Sequence, residues 1–275
     1  MNILPKCLSV VATGAALTAL VFAGTLSIFS STTLSAKETA MNKPTVVLVH
    51  GAFAESSSWD GVITKLHARG YPVVAAANPL RGVKSDADYV ASILKGIDGP
   101  IVLVGHSYGG AVITNAVNGN GNVKALVYVA GFAPDTGESA ADLSGKFPGG
   151  TLGPTLAPPF ALPDGGKDLY IQQDKLHAQF AADVSAAQAT RMAATQRPVT
   201  EAALNEASGV VAWKTTPSWF IYGELDKNIP AAVQNFMATR AKSKKTVAVK
   251  GASHVVMISH PDEVANLISE AAAAK

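Results

Sequence analysis

Cysteine is almost missing from this sequence of 275 residues, and the single Cys7 lies close to the amino terminus. An internal disulfide and a cluster of thiolate metal ligands are therefore excluded. Charge is also scarce, since charged residues make up 15% of the chain, the net charge is +2 and no basic block is present. We therefore expect no nucleic-acid partner. Hydrophobic residues reach 48%, which is enough for one large buried core.

The amino-terminal residues have the pattern of an export signal. Lys6 is followed by an uncharged, largely apolar run over residues 7–29, and small polar residues come next. This order predicts a signal peptide over residues 1–36, cleaved after Ala36. We expect a periplasmic or secreted protein without stable membrane contact once the signal is cleaved. The alternative is a membrane anchor formed by residues 8–29, because the run is long enough to span a bilayer.

Short apolar runs then alternate with helical patterns of about a dozen residues. The runs predict strands at residues 45–50, 72–77, 100–105, 123–130, 217–223 and 246–251. The helical patterns cover residues 56–70, 85–97 and 108–119 and the end of the chain from about 260. A serine is expected to cap the first of these helices, and Ser85 or Asp86 the second. The alternation predicts an α/β fold with a mostly parallel sheet flanked by helices.

The alternation is interrupted after the fourth strand. Half of residues 145–166 are proline or glycine, which predicts a loop with little regular structure. A long helical stretch is predicted from about 167 to 196, and another from 200 to about 207. We therefore predict one domain over residues 37–275 with a mobile helical insertion, the lid, at about 134–210.

A serine lies between glycines where the third strand gives way to a helix. The stretch "LVGHSYGGAV" places Ser107 two residues from both Gly105 and Gly109. Gly-x-Ser-x-Gly in this context is typical of a nucleophile elbow, a strained turn that leaves no room for a Cβ at the two glycines. The alternative is a tight connection that uses small residues for packing. The position between strand and helix favours a nucleophilic Ser107.

A serine nucleophile needs a base and a carboxylate that orients the base. In this chain order Asp226 follows the fifth strand and His254 follows the sixth. Glu224 is the rival for the acid. His260 is the rival for the base, although its position before a proline is more typical of a residue that enters a helix.

The tetrahedral oxyanion needs hydrogen-bond donors. The backbone N–H groups of Ala52, after the first strand, and of Tyr108, after the nucleophile, are the candidates. Phe53 is predicted to line the substrate pocket, and further aromatic side chains are candidates for the same role: Tyr108, Trp59, Phe147, Phe160 and Phe180. His50 is expected to hold its own turn by a hydrogen bond, and the side chain of His106 to point away from the nucleophile.

Four stretches resemble a known family: "VLVHGAFAESSSW", "LVGHSYGGAV", "DKNIP" and "SHVVMISHPDEV". They are similar to the α/β-hydrolase branch that holds plant methyl-ester esterases, hydroxynitrile lyases and bacterial aryl- and pyrethroid-type esterases. The resemblance implies an oxyanion hole at Ala52 and Tyr108 and a catalytic triad of Ser107, Asp226 and His254.

The chain departs from the lyases of this branch, which carry a threonine in the "HG" region and a cysteine after the nucleophile. Gly51 and Tyr108 occupy these places, so lyase activity is not expected. The leading hypothesis is a serine carboxylesterase without cofactor or metal that hydrolyses small or aromatic esters through an acyl-enzyme on Ser107. Two alternatives are a triad-bearing ligand-binding or signalling hydrolase with slow turnover and a cofactor-free perhydrolase or haloperoxidase.

Overall fold

The computed structural model describes residues 43–117, 119–209 and 211–274. The predicted signal peptide and the alternative anchor lie outside these residues, so both stay predictions. Within the described part of the chain, no helix has the length and apolar character needed to cross a membrane.

Outside the lid, the strands and helices that the sequence pattern predicts are present in the predicted order, and two further helices, at Ala231–Arg240 and Val256–Ser259, were not predicted. The strands are β1 (Thr45–Val49), β2 (Val73–Ala76), β3 (Ile101–His106), β4 (Val123–Val129), β5 (Phe160–Ala161), β6 (Lys167–Leu169), β7 (Val199–Thr200), β8 (Ser218–Gly223) and β9 (Lys245–Val249). The α-helices are α1 (Asp60–Ala68), α2 (Val83–Lys95), α3 (Tyr108–Ala116), α4 (Ala140–Ser144), α5 (Gln173–Phe180), α6 (Ala186–Thr195), α7 (Glu201–Asn205), α8 (Ala231–Arg240), α9 (Val256–Ser259) and α10 (Pro261–Ala273).

The central sheet is parallel and has the strand order β2-β1-β3-β4-β8-β9. Every residue of β3 and of β8 is buried, which explains why these strands are continuous apolar runs rather than alternating ones. Because all six strands point the same way, the loops after β1, β3, β8 and β9 leave the sheet at one edge. The candidate site residues all lie in these loops or directly after them.

The beginning of α2 differs from the sequence prediction. The helix starts at Val83, and Gly82 is its N-cap, without a capping side chain. Asp86 turns back instead, and both of its carboxylate oxygens accept the N–H of Arg81 at 3.1 Å. Ser85 donates its hydroxyl to the Gly82 carbonyl. The predicted cap at Ser85 or Asp86 is therefore wrong, because both side chains bond backbone groups at the start of the helix from inside its first turn.

The helix at residues 56–70 also starts differently. Residues Ser56–Trp59 form a 3-10 turn, and α1 follows it. Glu55, not a serine, is the N-cap residue of this turn; its backbone carbonyl accepts the N–H of Ser58, and its own N–H donates to Ser58 Oγ. The serine is thus the partner of the cap rather than the cap itself.

The lid is more divided than its sequence suggests. The predicted helical stretch over 167–196 contains the two helices α5 and α6, but its first residues form strand β6. Leu169 pairs with Val199 in an antiparallel lid sheet of β5, β6 and β7, which removes the first residues from any helix. Between the two helices Asp183 accepts a hydrogen bond from the Ser253 hydroxyl, outside the lid. These contacts join segments far apart in sequence, so helical periodicity alone did not reveal them.

Residues 145–166 are a loop interrupted by a 3-10 turn (Gly153–Thr155) and by the two-residue strand β5. The lid is bonded to the loops of the central sheet at several points. Phe53 N–H donates to the Arg197 carbonyl at 3.0 Å, and Thr200 N–H donates to the Leu80 carbonyl at 3.1 Å. These bonds hold the carboxyl-terminal part of the lid over the sheet edge where the site residues lie.

Candidate active site

Ser107 occupies a strained turn between β3 and α3. Its backbone has φ 53° and ψ −124°, in the region of positive φ that non-glycine residues rarely adopt. Such a conformation costs on the order of 1–3 kcal/mol and persists only where the surroundings enforce it. The Ser107 N–H donates to the Val129 carbonyl, and its own carbonyl accepts the N–H of Phe132. The turn is thus fastened to the end of β4 and the loop after it.

Close backbone contacts explain the glycines around Ser107. A Cβ at Gly105 would lie 2.5 Å from the Gly109 carbonyl oxygen, and one at Gly109 would lie 2.4 Å from the Val49 carbonyl oxygen. Gly110 is equally crowded, since a Cβ there would lie 2.4 Å from the Phe132 carbonyl oxygen. Each obstacle is main chain, which cannot move aside as a flexible side chain would. The close approach of strand and helix therefore requires glycine at these positions.

His254 and Asp226 form a buried hydrogen-bonded pair. His254 Nδ1–H donates to Asp226 Oδ2 at 2.7 Å, and both side chains are fully buried. The other carboxylate oxygen accepts the N–H groups of Asn228 at 2.8 Å and Ile229 at 3.0 Å. With Nδ1 as the donor, the lone pair of the imidazole lies on Nε2, where a proton can be accepted. No hydrogen bond occupies this Nε2 within the described residues.

Ser107 and His254 line the same cavity, here called the inner cavity, which has a volume of about 270 Å³. Asp226 does not line it and lies behind the imidazole. Most of the wall is apolar and comes from the sheet edge, the lid and the loop after β8: Phe132, Ala140, Leu152, Leu156, Leu204 and Ile229. Ser107 Oγ and His254 Nε2 are not hydrogen-bonded to each other, and such contacts commonly tighten only in the complex with substrate.

The predicted oxyanion donors also reach this cavity, since Ala52 and Tyr108 both line it. Neither backbone N–H is used by a loop or side-chain acceptor in the part of the chain that the structure describes. Tyr108 is the first residue of α3, so its N–H belongs to the helix terminus that favours negative charge. The two N–H groups therefore remain the candidate oxyanion donors.

Three of the predicted pocket aromatics line the inner cavity, namely Phe53, Tyr108 and Phe180. The other three do not. Trp59 is fully buried beside the ring of His106, and Phe147 packs against Phe236. Phe160 is 60% exposed and meets Tyr170. Their sequence positions did not separate core and surface aromatics from pocket aromatics.

Two further buried histidines support the site without entering the cavity. His50 Nδ1 donates to the Gly51 carbonyl, as predicted for a residue that holds its own turn, and burial lowers the pKa of His50 to about 4. His106 Nε2 donates to the backbone carbonyl of His254 at 3.2 Å. Burial, and secondly the charge of His254, hold the pKa of His106 well below its usual value. Both rings are therefore neutral near pH 7.

The rival residues have other surroundings. Glu224 is exposed, in the loop directly after β8. His260 is the N-cap residue of α10, where its Nδ1 lies 2.9 Å from Ser259 Oγ and 3.7 Å from Asp183 Oδ2. Neither Glu224 nor His260 lines the inner cavity.

Sequence reasoning missed one contact of Tyr108, the residue that follows Ser107. The Tyr108 hydroxyl donates to Asp86 Oδ2 at 2.9 Å, and both side chains are fully buried. Burial is the main reason that the pKa of Asp86 is raised. A helix-cap motif was the only signal at Asp86, and it pointed to a local role rather than to this contact with α3.

No group of three or more histidine, cysteine, aspartate or glutamate side chains suited to a metal ion occurs in the described ranges.

The fold and the site define a protein class: a parallel sheet with a strained serine elbow after β3, and a histidine–carboxylate pair after β8 and β9. The chain belongs to the alpha/beta hydrolase family, whose model matches residues 46–267. The predicted family, the fold and the assignment to the hydrolase enzymes are confirmed.

Similarity to individual proteins gives a more specific comparison within the family. The chain is similar to the alpha/beta hydrolase nvfD of Aspergillus novofumigatus, with 27% identity over 84% of this chain and 98% of the relative. It is similar to methylesterase 7 of Arabidopsis thaliana, with 26% identity over 84% and 97% of the two chains. Among solved structures, polyneuridine aldehyde esterase matches 83% of this chain and 98% of its own, with a TM-score of 0.72 and 19% identity. The last likeness concerns the fold alone.

Proposed function

We propose that the protein is a serine carboxylesterase that hydrolyses small or aromatic carboxylic esters through an acyl-enzyme on Ser107. The observation that carries the proposal is the inner cavity, which is lined by both Ser107 and His254, whose Nδ1 is bonded to the buried carboxylate of Asp226. The similarity to a methylesterase supports ester hydrolysis as the reaction.

In the first half-reaction His254 Nε2 takes the hydroxyl proton as Ser107 Oγ attacks the ester carbonyl carbon. The carbonyl oxygen becomes an oxyanion that the N–H groups of Ala52 and Tyr108 stabilise, by roughly 3–4 kcal/mol per donor. Asp226 holds the imidazole orientation and stabilises the imidazolium. The proton then passes from His254 to the leaving alkoxide, which departs as the alcohol and leaves an acyl group on Ser107.

In the second half-reaction a water molecule gives a proton to His254 Nε2 and attacks the acyl carbon. The same two N–H groups bind the second oxyanion. Its collapse breaks the bond to Ser107 Oγ, which regains the proton from His254, and the carboxylic acid leaves. Each step uses groups of the chain and water, so the mechanism needs neither metal nor cofactor.

The cavity wall supports the choice of substrate. Its apolar side chains are suited to a short acyl chain or an aromatic ring, and its volume of about 270 Å³ is small. Lid residues supply part of the wall, since Ala140, Leu152, Phe180 and Leu204 all line it. We therefore propose that the lid excludes water from the site and contributes to substrate selectivity.

The test is hydrolysis of p-nitrophenyl acetate by the wild-type protein and by Ser107→Ala. The wild type should turn over the ester, and the variant should lose at least about 10³-fold in kcat with its circular dichroism spectrum unchanged. A folded Ser107→Ala variant that keeps a tenth or more of the activity would show that another group is the nucleophile. Peroxide-dependent halogenation, measured in parallel, tests the perhydrolase alternative.

We also propose that the protein is exported and begins near Lys37 after cleavage. Amino-terminal sequencing of the protein from the periplasm or the medium checks this. Retention of residues 8–29 in a membrane fraction would favour the anchor.

A further inference from the structure

Phe53 lies between two cavities. The inner cavity contains Ser107, and a separate outer groove of about 470 Å³ is lined by Glu55, Ser57, Asp60, Gln188, Arg191 and Met192, among others. Phe53 is the only residue of the described ranges that lines both. Its side chain is almost fully buried, so the residue belongs to the wall that the two spaces share.

The backbone and the ring of Phe53 are both held in place. Its N–H donates to the Arg197 carbonyl of the lid, and its φ of 60° is a strained conformation. The ring meets that of Phe180 edge to face, with centroids 6.0 Å apart and an interplanar angle of 88°. Phe180 is itself buried. The lid therefore holds both the backbone and the ring of Phe53, as a wall requires.

The two spaces differ in chemistry and in size. The inner cavity is mostly apolar, whereas the groove carries the charged groups of Glu55, Asp60 and Arg191. A volume of about 270 Å³ lies just below the range of about 300–1,000 Å³ that is usual for ligand sites. A compact ester fills such a space, and a longer one needs the room beyond Phe53.

We propose that Phe53 is a partition that sets the upper limit of substrate size by closing the inner cavity against the outer groove. This inference rests on the proposed esterase function and adds its substrate class: compact esters that fit within the inner cavity. Loss of the ring joins the two spaces, so that a long acyl chain passes beyond Ser107 into the groove.

The main test is the ratio of kcat/KM for p-nitrophenyl octanoate to that for p-nitrophenyl acetate. Phe53→Ala should raise this ratio at least about 10-fold over wild type, in line with the discrimination that a hydrophobic pocket achieves against misfitting chains. Phe53→Gly should do the same, and glycine adopts positive φ without strain. The ratio cancels any general loss of activity caused by a change next to Ala52.

Leu204→Ala is the matched control because Leu204 lines the inner cavity but not the outer groove. It widens that cavity without opening the partition, so the ratio should change less than about threefold, as for the loss of a few methylene contacts. An equal gain in Leu204→Ala and Phe53→Ala would overturn the proposal, because cavity volume alone would then explain the selectivity.

A second substitution tests whether the groove receives the chain. Ser57 is exposed and lines the groove only, so Ser57→Trp narrows the groove without touching the inner cavity. In wild type it should leave the ratio unchanged. In the Phe53→Ala background it should remove most of the gain. A double variant that retains the full gain would contradict the joined cavities.

A binding readout separates this proposal from the esterase function. In the Ser107→Ala background, calorimetry should show that Phe53→Ala strengthens the binding of p-nitrophenyl octanoate relative to that of p-nitrophenyl acetate by at least about 10-fold. This measurement needs no turnover. If wild type fails to hydrolyse p-nitrophenyl acetate but the octanoate gain appears, the partition stands and the esterase function falls. If wild type hydrolyses p-nitrophenyl acetate but neither the kinetic ratio nor the binding of the octanoate ester changes, the partition is rejected and the esterase function is kept.

Discussion

The ring of Phe180 packs against the imidazole of His254, with centroids 5.0 Å apart and ring planes at 62°. Phe180 is the last residue of α5 in the lid, whereas His254 follows β9 of the central sheet. The lid therefore contributes to the position of the proposed base as well as to the cavity wall. The hydrogen bond from His254 Nδ1 to Asp226 also holds the imidazole in place.

Phe180→Ala should lower kcat for p-nitrophenyl acetate by about 10-fold or more, because the imidazole loses the ring that limits its orientation. It should also lower the free energy of unfolding by about 3–5 kcal/mol, as for other buried phenylalanines. Kinetics and urea denaturation measure the two effects. Phe147→Ala, also in the lid, is the control and should spare kcat. Equal kcat in the two variants would contradict a positioning role for Phe180.

His254→Ala should reduce ester hydrolysis by at least about 10³-fold, since the proposed nucleophile loses its base. His260→Ala removes the polar contacts with Ser259 and Asp183 but no group that lines the inner cavity, so it should retain most of the activity. Steady-state kinetics on p-nitrophenyl acetate compares the two variants. The reverse order of the two losses would assign the base to His260.

Gly51→Ala should impair activity because a Cβ there would lie 2.6 Å from Ser107 Cβ and 3.2 Å from Ser107 Oγ. Moving the serine by a fraction of an ångström away from His254 should lower kcat/KM by about 10- to 100-fold. Gly121→Ala is the matched control, since no atom lies within 4 Å of its Cβ position. A Gly51→Ala variant with full activity would show that the turn relaxes without loss of geometry.

Asp86 should make stability depend on pH in an unusual direction. Burial raises its pKa above the usual 3.8, so the unfolded chain releases this proton at lower pH than the folded chain does. The contribution of Asp86 to the free energy of unfolding is therefore undiminished below pH 3.8. It falls as pH rises from 3.8 through the raised pKa. Asp86→Asn cannot titrate, so its stability relative to wild type should improve over that interval, as urea denaturation at several pH values would show.

Asp183→Asn provides the comparison of opposite sign. Burial of Asp183 is outweighed by hydrogen bonds, above all from Ser253, and its pKa is lowered. The stability of this variant relative to wild type should therefore decline as pH rises through the lowered pKa toward 3.8. If both variants followed the same trend, the buried surroundings of Asp86 would not explain its behaviour.

The sheet and the elbow were predictable because local pattern and physical requirement coincide there. The glycines beside Ser107 stand where main chain approaches within 2.5 Å of a Cβ position, and no other residue fits. The cap of α2 and the break between α5 and α6 were not predictable. Asp86 bonds the nearby Arg81 N–H from inside the helix as well as the distant Tyr108, and Asp183 bonds the distant Ser253, so spacing alone revealed neither.

The proposed partition at Phe53 could not be predicted either. The sequence indicated that Phe53 lines the substrate pocket, but not that it also borders the outer groove. A pattern reports which residues are apolar and how they are spaced. It does not report that one ring borders two spaces, because the outer groove is completed by Gln188 and Arg191 of the lid.

The arrangement of the candidate site over four loops has a consequence for folding. Ala52 follows β1, Ser107 follows β3, Asp226 follows β8 and His254 follows β9, with the lid inserted between β4 and β8. No contiguous fragment of the chain smaller than residues 52–254 contains all four, and closing such long loops is slow. Recovery of turnover during refolding would therefore report the assembly of β1, β3, β8 and β9 at one edge of the sheet, after earlier stages that secondary-structure signals already detect.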